Sequence, residues 1–141
     1  MCVFCEIIHG REKGFIIRRE NGFTAFLDRF PLSPGHTLVV PDSHFQDYLN
    51  APDEVLKELS VFTKKIAIAT KEAMRADGVR IGTNVGSSAG QVIFHLHVHV
   101  IPAYEDPPQD FRPRREINSE VAQEISQRIS KAYSILFSDQ S

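Results

Sequence analysis

The sequence predicts an α+β domain: five short strands in a mostly antiparallel sheet, one long helix packed on it, and a further helix at the C-terminus. Three observations carry this reading. Five short runs rich in β-branched and aromatic residues are bounded by Gly, Pro or Asn. A central stretch repeats its apolar residues at helical spacing. The chain of 141 residues falls within the usual size of one domain and is long enough to bury a single substantial core.

The first two strands are Phe15 to Glu20 and Phe23 to Phe30. Asn21-Gly22 between them suits a tight two-residue turn of positive φ, so an antiparallel hairpin is expected. His36 to Val40 is the third strand. From Asp53 to Ala76 the residues Val55, Leu59, Phe62, Ile66, Ala69 and Ala73 alternate steps of four and three and line one face of a long helix, which Asp77-Gly78 stops. Val79 to Val85 and Phe94 to Tyr104 supply the last strands. A polar, proline-bearing stretch from Glu105 to Arg115 precedes a helical pattern, Val121, Ile125, Ile129, Ala132 and Leu136, expected to pack on the core or on a partner subunit. Residues 1–104 are thus expected to form the main domain, with 105–141 a linker and C-terminal helix of the same compact unit. The sequence holds no internal repeat or low-complexity tract.

Composition narrows the function classes. With 16 basic against 18 acidic residues the net charge is −2, and only Arg112, Arg114 and Arg115 cluster, so no nucleic acid partner is expected. No apolar run approaches the roughly 20 residues a membrane helix needs, and the start from Met1 to Glu6 lacks the basic-then-apolar order of a signal peptide. A cytoplasmic protein with no membrane partner is the expectation. Both cysteines fall in one Cys2-x-x-Cys5 pair, which in a reducing compartment reads as a metal or redox pair.

Three of the six histidines lie in Phe94-His95-Leu96-His97-Val98-His99-Val100-Ile101-Pro102. Side chains alternate across a strand, so Phe94, Leu96, Val98 and Val100 face one way and the imidazoles the other. Alternate residues are about 6.6 Å apart, close enough for neighbouring rings to flank one small anion such as a phosphate. Upstream, Asn84-Val85-Gly86-Ser87-Ser88-Ala89-Gly90-Gln91 is a run of small and amide residues whose backbone N–H groups suit phosphate oxygens. A second reading makes His95, His97 and His99 ligands of a catalytic metal; the cysteine pair is the better zinc nucleus.

His95 to Ile101, with Asn84-x-Gly86 and Gly90-Gln91 before it, resembles the histidine triad (HIT) family pattern. So do Ala25-Phe26-Leu27-Asp28, Pro34-Gly35-His36-Thr37-Leu38-Val39-Val40-Pro41 and His44. The resemblance runs over roughly 2–102 and implies a HIT-like fold. By it, His97 is the nucleophile that attacks an α-phosphorus and forms a covalent nucleotidyl intermediate, splitting one hard displacement into two easier ones. His99 contacts phosphate and manages the leaving-group proton, and His36 supports the cluster. Phe4, Ile7 and Phe26 wall the base pocket, Asp28 binds the ribose, and Asn84, Gly90 and Gln91 hold phosphate oxygens or the bridging atom. Arg29 and Val92 depart from the family, the latter replacing a common Ser or Thr hydroxyl.

Resemblance to the zinc-bearing branch, and to galactose-1-phosphate uridylyltransferase, implies a structural zinc on Cys2, Cys5, His44 and His95, without an open position for water. It also implies a homodimer and, as substrate, a purine nucleotide or nucleotidyl conjugate. The activity implied is hydrolysis of a nucleoside phosphoramidate, dinucleoside polyphosphate or related conjugate. Nucleotidyl transfer by the same mechanism, or nucleotide binding as an adaptor, are the alternatives.

Overall fold

The computed structural model describes residues 2–109 and 111–137; Met1, residue 110 and residues 138–141, which belong to the predicted terminal segments, lie outside the described residues. In chain order the elements are α1 (Val3–Ile8), β1 (Ile16–Glu20), β2 (Phe23–Leu27), β3 (Thr37–Pro41), α2 (Asp53–Met74), β4 (Gly78–Gly82), β5 (Val98–Ala103) and α3 (Ser119–Phe137). The five strands form one sheet in the order β1-β2-β3-β5-β4, and every neighbouring pair is antiparallel. This is the expected α+β architecture. Among the described residues no helix is long and apolar enough to cross a membrane.

Local chemistry accounts for the boundaries. Asn21 and Gly22 take φ of 51° and 87°, the left-handed pair that a tight hairpin turn requires. Helix α2 stops two residues before the predicted Ala76. Arg75 adopts φ 53° there, its N–H bonds Glu72 O, and Ala76 N–H bonds Lys71 O, an arrangement that satisfies the last carbonyls. Strand β2 ends at Leu27 rather than Phe30 because Asp28 Oδ1 accepts the Phe30 N–H at 2.8 Å and turns the chain.

Three features differ from what the sequence predicts. The long fifth strand from Phe94 begins its ladder only at Val98: Leu96 N–H bonds Phe45 O at 2.7 Å and His97 O accepts the Thr83 hydroxyl at 2.7 Å, so those groups leave the sheet. The same Thr83 bond follows the end of β4 at Gly82, short of Val85. Helix α1 was not expected. Cys2 caps it, its Sγ accepting the Cys5 N–H at 3.3 Å. The cysteine pair therefore opens a helix.

Strands β2 and β3 are buried along their whole length because both sheet faces are covered. On one face Phe23, Ala25, Leu27, Val39, Val98 and Val100 meet α2 and α3, whose Leu59, Phe62, Ile66, Ile125, Ile129 and Tyr133 complete the main core. On the other face Phe26, Leu38 and Val40 pack against Phe4, Ile7 and Ile8 of α1. Glu20 of β1 ties the layers together, accepting from Tyr133 Oη at 2.7 Å and Lys65 Nζ at 2.9 Å. Arg128 of α3 also donates to Ala73 O near the end of α2. Ile129 is fully buried, so Ile129→Ala should lower stability by about 2–5 kcal/mol in urea unfolding. A loss below about 0.5 kcal/mol, the range of ordinary surface substitutions, would show that α3 is not integral to the core.

Candidate active site and metal cluster

The face of the sheet beneath α1 carries the histidines. His99 sits opposite Leu38 in the β3–β5 ladder, which puts its ring on the same side as Leu38. His97 lies 5.0 Å from His99 between ring centroids, and the Phe4 ring stands edge-on at 5.0 Å from His97 and 5.4 Å from Phe26. These groups border a cavity of about 500 Å³, also lined by Ile7, Asp28, Asn84 and Gly90. That volume suits a small-molecule site.

Hydrogen bonds to the backbone assign the ring protons. His97 Nδ1 lies 2.7 Å from His95 O; a carbonyl only accepts, so Nδ1 carries the proton and Nε2 keeps the lone pair. Leu32 N–H donates to His36 Nδ1 at 2.9 Å, which puts the His36 proton on Nε2, 2.9 Å from His99 Nδ1. His99 therefore accepts at Nδ1 and carries its own proton on Nε2. The outcome is a bare nitrogen on one ring beside an N–H on the next.

Burial keeps these rings neutral. It pushes His36 down to about 3, helped by His99, Arg114 and His97. It pushes His99 down to about 4, helped by His97 and Arg114. His97 is also lowered by burial, against the bond to His95 O. Asp28 is raised by burial, with the Phe30 N–H and Arg114 pulling the other way.

A second cluster lies at the start of the same segment. Cys2 Sγ and His95 Nδ1 are 3.4 Å apart, Cys5 Sγ is 3.4 Å from His44 Nδ1 and 3.5 Å from His95 Nδ1, and the two histidine nitrogens are 3.2 Å apart. All four ligand atoms fall within 4.8 Å of one another. Tetrahedral zinc with ordinary Zn–N and Zn–S bonds has edges of about 3.3–3.8 Å. His95 Nε2 donates to Pro41 O at 2.8 Å, so its Nδ1 presents a lone pair to the cysteines, the orientation a metal ligand needs. Donor set and spacing both fit a closed zinc site.

Asp28, His36 and His99 also converge, but His36 Nε2 bears the proton there. Its hydrogen-bond partners make that group a proton network rather than a ligand set. His97 joins neither group of ligand atoms, which removes the reading of His95, His97 and His99 as one catalytic metal site.

The predicted site residues divide by position. Phe4, Ile7, Phe26, Asp28, Asn84, Gly90, His97 and His99 line the cavity, and His36 lies buried behind His99. Gly90 holds φ 97°, and a Cβ there would stand 3.4 Å from Asn84 Nδ2. Gln91 points elsewhere: it is buried, its Oε1 accepts the Gly86 N–H at 2.8 Å, and its Nε2 donates to Gln46 O and Ile93 O. Its amide shapes the loop. Val92 lines the cavity with no hydroxyl to offer, and Arg29 is tied to Lys13 O and Glu12. Arg114 also reaches the cavity, where the sequence marked it only as one of three clustered arginines.

The depressed His36 value has a consequence for folding. In the unfolded chain this ring takes a proton near the ordinary histidine value of about 6.5, and in the folded state only near 3. The unfolded state binds more protons between those values, so stability rises with pH across that window and is complete above it. Zinc-saturated protein should lose stability from pH 7 to pH 5 in urea unfolding, and His36→Gln should lose less. An identical loss in both would remove His36 as a source of the acid sensitivity.

Residues 10–106 match the HIT domain family. An uncharacterized HIT-like protein of Saccharolobus solfataricus is 45% identical over 132 residues, spanning 92% of this chain and 95% of the relative. The crystal structure of a hypothetical histidine triad nucleotide-binding protein from Sulfolobus tokodaii superposes with a TM-score of 0.92 at 43% identity, over 96% of this chain and 93% of that one. That of a zinc-bound histidine triad family protein from Mycobacterium smegmatis gives 0.85 at 32% identity, over 99% and 97%.

Proposed function

The chain belongs to the histidine triad family, and we propose that it is a nucleotide hydrolase acting at the α-phosphorus of a nucleotidyl conjugate through a covalent nucleotidyl-His97. The observation that carries this reading is the pairing of protons: His97 Nδ1–H bonds the His95 carbonyl, leaving Nε2 to attack. His99, accepting from His36, holds its proton on Nε2 next door.

The conjugate's purine lies among Phe4, Ile7 and Phe26, with Asp28 at the ribose and Asn84 and Gly90 at the phosphate. Neutral His97 attacks phosphorus and the bond to the leaving group breaks. His99 Nε2–H, on a neutral ring, donates a hydrogen bond to the departing atom, and a leaving group that needs a full proton takes it from water. Water then attacks the phosphorus, releasing a nucleoside monophosphate and free His97. Gln91 acts as the brace of the phosphate loop. The support is the neutrality of the rings near pH 7, since only an unprotonated imidazole is nucleophilic. The nucleotide-binding description of the Sulfolobus tokodaii neighbour supports the substrate class.

A structural zinc on Cys2, Cys5, His44 and His95 belongs to the same reading, supported by the cluster's spacing and by the zinc-bound neighbour. When bound, the metal ties α1 to the start of the histidine segment. Phe4 of α1 contacts both His95 and His97, so the cluster holds one wall of the base pocket. A second copy of the chain is the expected protein partner, and the free edge β4, with Ile81 55% exposed, offers a strand for it.

His97→Ala should abolish nearly all turnover of adenosine or guanosine conjugates while leaving nucleotide affinity within a few-fold. Residual activity within tenfold of the parent, worth only about 1.4 kcal/mol of barrier, would sink the nucleophile assignment. Rapid quenching of the parent with labelled substrate should trap nucleotide on His97, and products formed with and without an acceptor distinguish hydrolysis from transfer.

Elemental analysis should find one zinc per chain, and Cys5→Ser or chelation should lower Tm, because a ligand bound only to the folded form adds stability by linkage. Purified protein free of zinc, with an unchanged Tm after added metal, would refute the site. Recovery of activity on adding metal to a chelated, fully folded sample would make the metal catalytic.

A further inference from the structure

Beside His99 lies a smaller cavity of about 170 Å³ that shares Asn84, His99 and Arg114 with the main one and adds Arg80, Gly82 and Ile101. It is below the roughly 300 Å³ of an independent ligand site, so it reads as an annex. Its origin is in the β4–β5 register. Gly82 pairs with His99 and Arg80 with Ile101, which places Arg80 and the vacant side-chain position of Gly82 on the imidazole face. A Cβ at Gly82 would meet nothing within 4 Å.

The charge of this annex is one-sided, with no acidic residue among its lining groups. Arg80 is exposed and has no carboxylate partner among the described residues. Arg114 arrives from the C-terminal extension and is held in place. Its N–H bonds Pro31 O at 2.8 Å, its backbone adopts φ 65°, and its Nη1 donates to Phe30 O at 2.7 Å. Asp28 Oδ2 stands 3.6 Å from Nη1 and balances part of that charge. Arg80 is not balanced in this way. His99, whose Nε2–H is a hydrogen-bond donor to the site, is the ring at the junction.

Resting on the hydrolase reading above, we propose that this annex is the leaving-group subsite and that Arg80 and Arg114 make it select a phosphate-bearing leaving group. The preferred substrates are then nucleoside phosphoanhydrides, with amine conjugates disfavoured. The N–P bond to His97 Nε2 forms as the bond from the α-phosphorus to the bridging oxygen breaks. The electron pair leaves on a terminal phosphate held by the two guanidiniums, which stabilise developing negative charge. Water then cleaves the N–P bond, giving nucleoside monophosphate, the phosphate-bearing product and one proton. A departing phosphate needs little protonation, which fits a site where Val92 contributes no hydroxyl.

Binding tests the subsite without relying on turnover. Titration calorimetry compares nucleoside 5′-monophosphate with the nonhydrolysable α,β-methylene diphosphate, for adenosine and guanosine, on the parent, Arg80→Glu and Arg114→Gln. The parent should bind the diphosphate at least tenfold more tightly, and Arg80→Glu should erase that advantage while Arg114→Gln reduces it. Gly82→Leu, which fills the annex from a strand position open to a side chain, should erase it as well. No diphosphate advantage in the parent, or the same advantage in Arg80→Glu and Gly82→Leu, would overturn the subsite. In turnover, the ratio of kcat/KM for a dinucleoside polyphosphate over an amine phosphoramidate should fall at least tenfold in Arg80→Glu. Absence of all turnover in the parent would defeat the hydrolase reading alone, since the binding comparison still decides the subsite.

Discussion

Three backbone groups, Leu32 N–H, Pro41 C=O and His95 C=O, govern what the buried histidines can do. Each engages one nitrogen of a ring, and in a neutral imidazole that assigns the other nitrogen its role. The Pro41 carbonyl turns His95 into a potential ligand, the His95 carbonyl leaves His97 with an outward lone pair, and Leu32 makes His36 a donor to His99. Burial depresses the basicity of all four, so the assignments persist at neutral pH. Chemically identical side chains are separated into different tasks by the backbone around them.

That arrangement depends in turn on a sheet covered on both faces. The main core beneath α2 and α3 fixes β3 and β5, and with them the positions of Leu38 and His99. The second, smaller core under α1 closes the site from the other side. Phe4 links the two halves of that surface, touching His95 of the cysteine–histidine cluster and His97 of the cavity. Loss of order in a six-residue helix would therefore be felt at the histidine cavity, because a helix this short has little stability apart from its packing.

Residues C-terminal to the family match at 10–106 contribute in two ways. Helix α3 completes the main core through Ala122, Ile125, Ile129 and Tyr133. The segment leading to it runs along the loop after β2, with Arg114 N–H bonding Pro31 O and Ile117 N–H bonding Arg29 O. A guanidinium is thereby delivered to the histidine cavity by a stretch whose composition reads as a linker.

Much of the fold was legible because its signals are local. Asn21-Gly22 encodes its turn in two residues, the apolar repeat from Val55 to Ala73 marks one helix face, and the alternation around His97 marks a core side and an imidazole side. The motif resemblance likewise drew eight of the cavity's nineteen lining residues from the sequence. Helix α1 escaped because it is short, its cap is a cysteine thiol and its apolar residues face a second core that periodicity alone does not reveal. Gln91 and Arg114 exchanged expected importance for the same kind of reason: the partners Gln46 O, Phe30 O and Pro31 O lie far away in the chain or are reached only after it folds back. The sequence by itself determined which residue types alternate where, and hence the strands, the long helices and the histidine segment. Only the tertiary structure decided which nitrogen of each histidine holds its proton, how closely the four candidate zinc ligands converge, and which arginine reaches the cavity, since each depends on hydrogen bonds and contacts between residues distant in sequence.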